Sequence, residues 1–201
     1  MKHSGWFIPT LYTNRLLLRQ LEWDDIDDIF QLFSDPEVMK LDGGMTMNER
    51  WQAEQFVFQY GHPVWYLKKQ WLIWAIVEKE TDRLIGSGGF KNWNGREEAE
   101  VGLDIIKDCW NKGYGQEALE AMLSFAFGKL GLKKVYAAML SENKKALHLV
   151  QRMGFQYVGV NNKYPHANQF FNALLFVREK MNIKCSIGDD TGENKKGDES
   201  F

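Results

Sequence analysis

The chain has 201 residues, 44% of them hydrophobic and 14% aromatic, with a formal charge of −2 at pH 7. That length suits one domain with appendages, and the apolar content supplies a core and excludes wholesale disorder. The near-neutral balance speaks against a nucleic-acid binder held by phosphate contacts, and no apolar run approaches the roughly 18 residues of a membrane span.

In chain order, an N-terminal arm leads into a strand over Leu16–Leu21. Asp24 then precedes Ile26, Ile29, Phe30 and Phe33, the i, i+3, i+4, i+7 spacing of an amphipathic helix with acids in its first turn. Thr46, with Glu49 three residues on, reads as a capping box opening a second helix that carries Trp51. Trp71–Val77, Leu84–Lys91 and Ala99–Ile106, joined by turns at Thr81-Asp82 and Asn94-Gly95, form an antiparallel meander. Gly113 and Gly115 introduce a broad apolar helical stripe from Ala118 to Leu130, ended by Gly131. A strand follows over Lys133–Leu140. A short helix carries Ala146, Leu149, Val150 and Met153 up to Gly154, and the strands Phe155–Val160 and Phe170–Arg178 finish the fold.

This order predicts an α+β (mixed α/β) fold: a mostly antiparallel seven-stranded sheet with about four helices. The helix between Ile106 and Lys133 is a crossover, so the two central strands it joins should be parallel neighbours. Residues 1–183 read as a single domain. From Lys184 to Phe201 the chain holds five acids and three lysines among Gly, Ser, Thr and Asn, and 184–201 reads as a disordered polar tail. The opening Met-Lys-His-Ser-Gly lacks the apolar stretch of a signal peptide. Cys109 and Cys185 suit neither a metal spacing nor a disulfide framework, so a cytoplasmic location is expected.

The sharpest feature is Trp110-Asn111-Lys112-Gly113-Tyr114-Gly115-Gln116, between a strand and a helix. A helix start leaves backbone N–H groups without partners and carries the positive end of the dipole, while glycines let that backbone approach a bulky anion. The loop is suited to phosphate or pyrophosphate, with Lys112 adding charge; the plain alternative is a glycine turn. Gly113 to Ala118 also satisfies the dinucleotide pattern G-x-G-x-x-A, with Glu142 as a ribose partner. However, the loop follows an antiparallel meander, and six residues separate Ile106 from Gly113. A Walker loop is excluded, because no Gly-Lys-Ser/Thr ending exists.

Taken together, three stretches resemble the GNAT superfamily of N-acetyltransferases and within it the RimJ/RimL-like branch. Ala99 to Leu103 followed by Cys109 to Leu119 is similar to the branch's central signature. Asn143 to Ala146 followed by Arg152 to Phe155 is similar to its second motif, and Thr13 to Arg19 to its usual opening. The resemblance spans about Thr13 to Lys180. It implies a GNAT-like fold, acetyl-CoA as donor cosubstrate and a primary amine as acceptor, either a protein N-terminus or a small molecule. By the same resemblance, Leu103, Asp104 and Ile105 would meet the pantetheine arm, and Asn111, Lys112, Gly113, Tyr114, Gly115 and Gln116 the pyrophosphate. Asn143 would bond the donor or fix the neighbouring strand end. Many members place a tyrosine acid where this chain has Val150, and Ser141 is a weak substitute.

Amide formation needs a neutral amine, and a lysine-like ammonium is mostly charged at neutral pH. Glu100, at the start of the strand before the loop, is the candidate base; the plain alternative is an exposed hairpin charge beside Glu97 and Glu98. A backbone N–H of the same strand would stabilise the acetyl oxygen, and direct attack in a ternary complex is expected. Cys109 reads as a small buried residue. Asp24, Asp25, Asp27 and Asp28 read as a solvated helix face. Trp51, Phe56, Phe58, Trp65, Tyr66, Trp71 and Trp74 read largely as core. The four histidines have no ligand spacing, so no metal is assigned. A monomer or homodimer is expected, with no nucleic-acid or membrane partner. The competing function is a noncatalytic acyl-CoA-binding sensor module that keeps the loop and has lost turnover.

Overall fold

A computed structural model of the chain describes residues 7–42, 46–93, 97–166 and 169–180. Its sheet contains β1 (Leu11–Tyr12), β2 (Leu16–Arg19), β3 (Leu72–Glu78), β4 (Arg83–Lys91), β5 (Glu98–Ile105), β6 (Lys134–Met139), β7 (Gln156–His166) and β8 (Gln169–Glu179). The spatial order is β1-β2-β3-β4-β5-β6-β8-β7. Every neighbouring pair is antiparallel except β5 and β6, which run parallel as the crossover rule requires.

The described residues hold eight strands where seven were expected. The extra one is β1, a two-residue strand in the N-terminal arm, too short to leave a periodic signal. They also hold six α-helices rather than about four: α1 (Ile26–Ser34), α2 (Pro36–Asp42), α3 (Arg50–Gly61), α4 (Val64–Leu67), α5 (Tyr114–Gly128) and α6 (Lys144–Arg152). The unforeseen α2 starts as local rules allow. The Asp35 carboxylate accepts from the Glu37 amide at 2.8 Å, and Pro36 occupies the first helical position, where a missing N–H is harmless. The capping box of α3 is displaced from Thr46–Glu49 to Glu49–Gln52: Glu49 is the N-cap, and its amide donates to Gln52 Oε1 at 3.0 Å. The Asn94-Gly95 turn and the 184–201 tail lie outside the described residues.

Alternation along the strands divides the side chains between two faces. On one face Trp74 meets Phe125 of α5 edge-on at 5.7 Å, with Phe90 at 6.1 Å. The Trp74 indole donates to the Pro9 carbonyl at 2.7 Å, so its one polar atom is satisfied inside the core. Ala118, Leu119, Met122, Leu123 and Ala126 form the buried stripe of α5. The other face is covered by α1 and α3, which pack on β4 and β3. There Ile29 and Leu32 are fully buried, and an aromatic chain runs from Phe33 through Phe56 and Tyr60 to Trp71. Trp51 and Phe58 stay exposed, so only part of the aromatic group is core.

The acidic run is not uniformly solvated either. Asp25 is buried and takes a bidentate pair from the Arg19 guanidinium, both contacts at 2.7 Å. Those bonds to Asp25 raise the Arg19 pKa above its ordinary value. A buried carboxylate needs such a partner, and Asp25 also accepts the Glu22 amide at 2.7 Å.

Candidate active site

The parallel pairing of β5 and β6 is brief. It registers Glu98 with Lys134, Ala99 with Val135 and Glu100 with Tyr136, and then ends. Beyond that point β5 continues against β4 as far as Ile105, while β6 continues against β8 as far as Met139. The two strands therefore part like a fork.

The phase of β5 decides which main-chain groups face the gap. The Ile106 amide donates to the Ile85 carbonyl at 2.9 Å. At Gly86 a Cβ would lie 2.3 Å from the Asp104 carbonyl oxygen, a close approach that only glycine tolerates. Asp104 thus turns its main chain towards β4, and the alternate residues Leu103 and Ile105 turn theirs towards the gap. The Ile105 carbonyl accepts from the Trp110 indole at 2.7 Å, which anchors the loop to the strand end.

A short 3-10 turn over Lys107–Cys109 fills the spacer between strand and loop. Asn111 and Gly113 both adopt the left-handed conformation, at φ 61° and 82°. Gly113 is the N-cap of α5 and has no side chain to cap the helix. The first bond of α5 runs from the Glu117 amide to the Gly113 carbonyl at 3.1 Å. The amides of Tyr114, Gly115 and Gln116 precede it and have no intrahelical acceptor. They open, with the positive end of the dipole, on a cleft of about 470 Å³.

Leu103, Asp104, Ile105, Asn111, Gly113, Tyr114, Gly115, Gln116 and Asn143 all line this one cleft. Two other predicted residues do not. Lys112 has an exposed side chain outside the lining, and its carbonyl accepts from Arg15 Nη1 at 2.9 Å. Glu100 stands at the last paired position before the fork. By alternation it lies on the sheet face away from α5, with a side chain only 12% exposed. The Lys91 ammonium lies 3.1 Å from its Oε1, and Asn92 Nδ2 donates to its Oε2 at 3.2 Å.

Asn143 serves the scaffold as well as the cleft. Its Oδ1 caps α6 by accepting the Ala146 amide at 3.0 Å, and its Nδ2 donates to the Leu41 carbonyl of α2 at 3.0 Å. Val150 is buried in α6, and Cys109 is buried with its thiol pKa pushed up by desolvation.

Sequence reasoning missed the device that holds the loop in place. Glu117, in the first turn of α5, accepts from the Thr13 hydroxyl at 2.6 Å and from the Arg15 amide and Nε, both at 2.7 Å. Burial works against the Glu117 charge, but these bonds outweigh it and hold its carboxyl below the ordinary value. The Arg15 guanidinium also lies 4.4 Å from the centre of the Tyr114 ring, and the Tyr114 hydroxyl donates to Glu78. The signal was the opening Thr13-Asn14-Arg15, whose partners lie about a hundred residues away. Also missed were Lys145, His148 and Arg152 of α6, which line the cleft. Reading α6 only by its apolar positions hid them.

A helix start whose first amides have no intrahelical acceptor, beside a strand that turns main-chain groups towards the gap, fits an extended ligand bearing phosphates. Residues 15–156 match the family described as Acetyltransferase (GNAT) domain. The chain is 33% identical over 161 residues to the uncharacterized N-acetyltransferase YoaA of Bacillus subtilis, covering 80% of this chain and 90% of that protein. The fold is similar to that of a GNAT-family acetyltransferase from Bacillus anthracis, with a TM-score of 0.73 and 23% identity over 85% of this chain and 98% of that one. It is also similar to spermidine N-acetyltransferase from Vibrio cholerae, solved in complex with CoA and spermine, with a TM-score of 0.69 and 21% identity over 82% and 95% of the two chains. The chain belongs to the GNAT acetyltransferase family and is an acetyl-CoA-dependent N-acetyltransferase.

Proposed function

We propose that this protein transfers the acetyl group of acetyl-CoA to a primary amine, of a protein N-terminus or a small molecule, by direct attack in a ternary complex. The observation that carries the reading is the fork between β5 and β6 with the uncapped start of α5 beside it. The amides of Tyr114, Gly115 and Gln116, with Asn111, Lys112 and Gly113, hold the pyrophosphate. Leu103 and Ile105 bond the pantetheine arm through the main chain, Asp104 forms the wall between them, and Asn143 shapes the rim.

Glu100 receives the proton that the attacking ammonium must lose, directly or through a water, and Lys91 and Asn92 fix the orientation of its carboxylate. The amine nitrogen bonds to the thioester carbon, the carbon–sulfur bond breaks, and CoA leaves with one proton. A main-chain N–H of β5 stabilises the carbonyl oxygen as charge develops on it. The resemblance of the opening and of the two later motifs supports a place in the RimJ/RimL-like branch. We read residues 1–183 as a single GNAT-like acetyltransferase domain, and the protein as cytoplasmic, monomeric or homodimeric.

The test is release of free thiol from acetyl-CoA with a panel of acceptors: N-terminal peptides, polyamines and amino-acid analogues. Thiol release with a matching acetylated product from at least one acceptor is expected. CoA binding without thiol release from any member would favour the noncatalytic sensor module instead.

A further inference from the structure

The end of the glycine loop is gripped by a residue 97 positions before Lys112. Arg15 is itself fixed by its main chain: its amide donates to Glu117 Oε1 at 2.7 Å, and its carbonyl accepts the Lys79 amide at 2.9 Å. From that base three guanidinium nitrogens reach the loop and the first turn of α5. Nε donates to Glu117 Oε2 at 2.7 Å, and Nη1 donates to the Lys112 carbonyl at 2.9 Å. Nη2 stands 3.3 Å from where a Cβ on Gly113 would lie. The carbon of the same group lies over the Tyr114 ring, 4.4 Å from its centre.

Gly113, at φ 82° and ψ 1°, has the dihedral angles of the third residue of a type II turn. The type I alternative differs by rotation of the preceding peptide plane, which glycine permits at little steric cost. In a trans peptide the carbonyl and the N–H point opposite ways, so that rotation would exchange the directions of the Lys112 carbonyl and the Gly113 N–H. Gly113 stands between the cleft and a second groove lined by Thr13, Arg15 and Glu117, and the bond from Arg15 holds the Lys112 carbonyl on the side of that groove. We propose that Arg15 is a positioning residue for the donor: it locks the Lys112–Gly113 peptide with its N–H towards the cleft, so that the loop meets the diphosphate with a hydrogen-bond donor and not with a carbonyl oxygen. The inference rests on the donor reading above and adds to it the residue that orients the loop. A lysine cannot take its place, because one ammonium lacks the planar fork that spans both Glu117 and the Lys112 carbonyl.

The test is an NMR titration of the isotope-labelled full chain with CoA and with pantetheine, which shares the thiol arm and lacks the diphosphate. It is run on the native protein, Arg15→Ala and Arg15→Lys. In the native protein CoA is expected to move the Gly113 amide proton downfield, and pantetheine to leave it in place. The ratio of CoA to pantetheine affinity should fall roughly tenfold in both variants, about one charge-assisted hydrogen bond's worth. A Gly113 amide that stays in place while CoA binds would overturn the inference and leave the donor reading standing, and this comparison needs no variant. A native ratio in either variant would also overturn it, whether because charge alone suffices in Arg15→Lys or because both ligands weaken together and Arg15 serves the fold. Failure of the native protein to bind CoA would overturn the donor reading itself.

Discussion

Glu100 occupies the one position that is both the last rung of the β5–β6 ladder and the partner of Lys91 across β4. A base placed there stands beside the point where the strands open, without lining the cleft proposed for the donor. Replacing Glu100 by Gln keeps the shape and removes the proton acceptor, so kcat should fall about a hundredfold, within the range of general-base effects. The deficit should be largest at low pH and shrink as pH approaches the acceptor's own pKa, about 10.4 for a lysine-like amine, where neutral amine is already present. Donor affinity should change by less than about twofold, since the carboxylate lies outside the lining of the proposed donor cleft. An unchanged kcat would remove Glu100 from the reaction, and a weakened donor affinity would assign it to the scaffold. At this scale the sequence was legible where chemistry is local. Gly113 to Gln116 announce a helix start by themselves, whereas Glu117 makes sense only once Thr13 and Arg15 are folded against it.

The element that matters most is the start of α5, which depends on one conformation. Gly113 sits at φ 82°, and an added Cβ would lie 3.3 Å from Arg15 Nη2. A side chain there costs about 1–2 kcal/mol of backbone strain and presses on the guanidinium that holds Lys112 and Glu117. Gly113→Val should therefore weaken CoA binding by about tenfold or more, the equivalent of about 1.4 kcal/mol, as read by calorimetry. Unchanged affinity would mean that the left-handed turn does not shape the binding surface. Long periodic elements such as α1 and α5 were legible from their apolar spacing. The short α2 and α4 were not, because seven and four residues give too little period to read, although Asp35-Pro36-Glu37 carries a start signal. The α3 cap moved to Glu49 because Gln52 Oε1 reaches back to the Glu49 and Asn48 amides, a pairing that Thr46 does not make here.

For the whole molecule, the parallel pair was predictable from the single crossover helix, and the antiparallel remainder from short turns. The fork itself was not. Its cause is a competition between partners: after Glu100 β5 stays with β4, and after Tyr136 β6 stays with β8. Such long-range pairing leaves no local trace in composition or spacing. The central claim is that the diphosphate of the acetyl donor rests on the start of α5 and its thioester arm lies in that fork. The most direct measurement is a crystal structure of the protein with coenzyme A. Diphosphate oxygens are expected within hydrogen-bond distance of the Tyr114, Gly115 and Gln116 amides, with the pantetheine bonded to the main chain of Leu103 and Ile105. Coenzyme A seated elsewhere, with those amides bonded to protein groups instead, would contradict it.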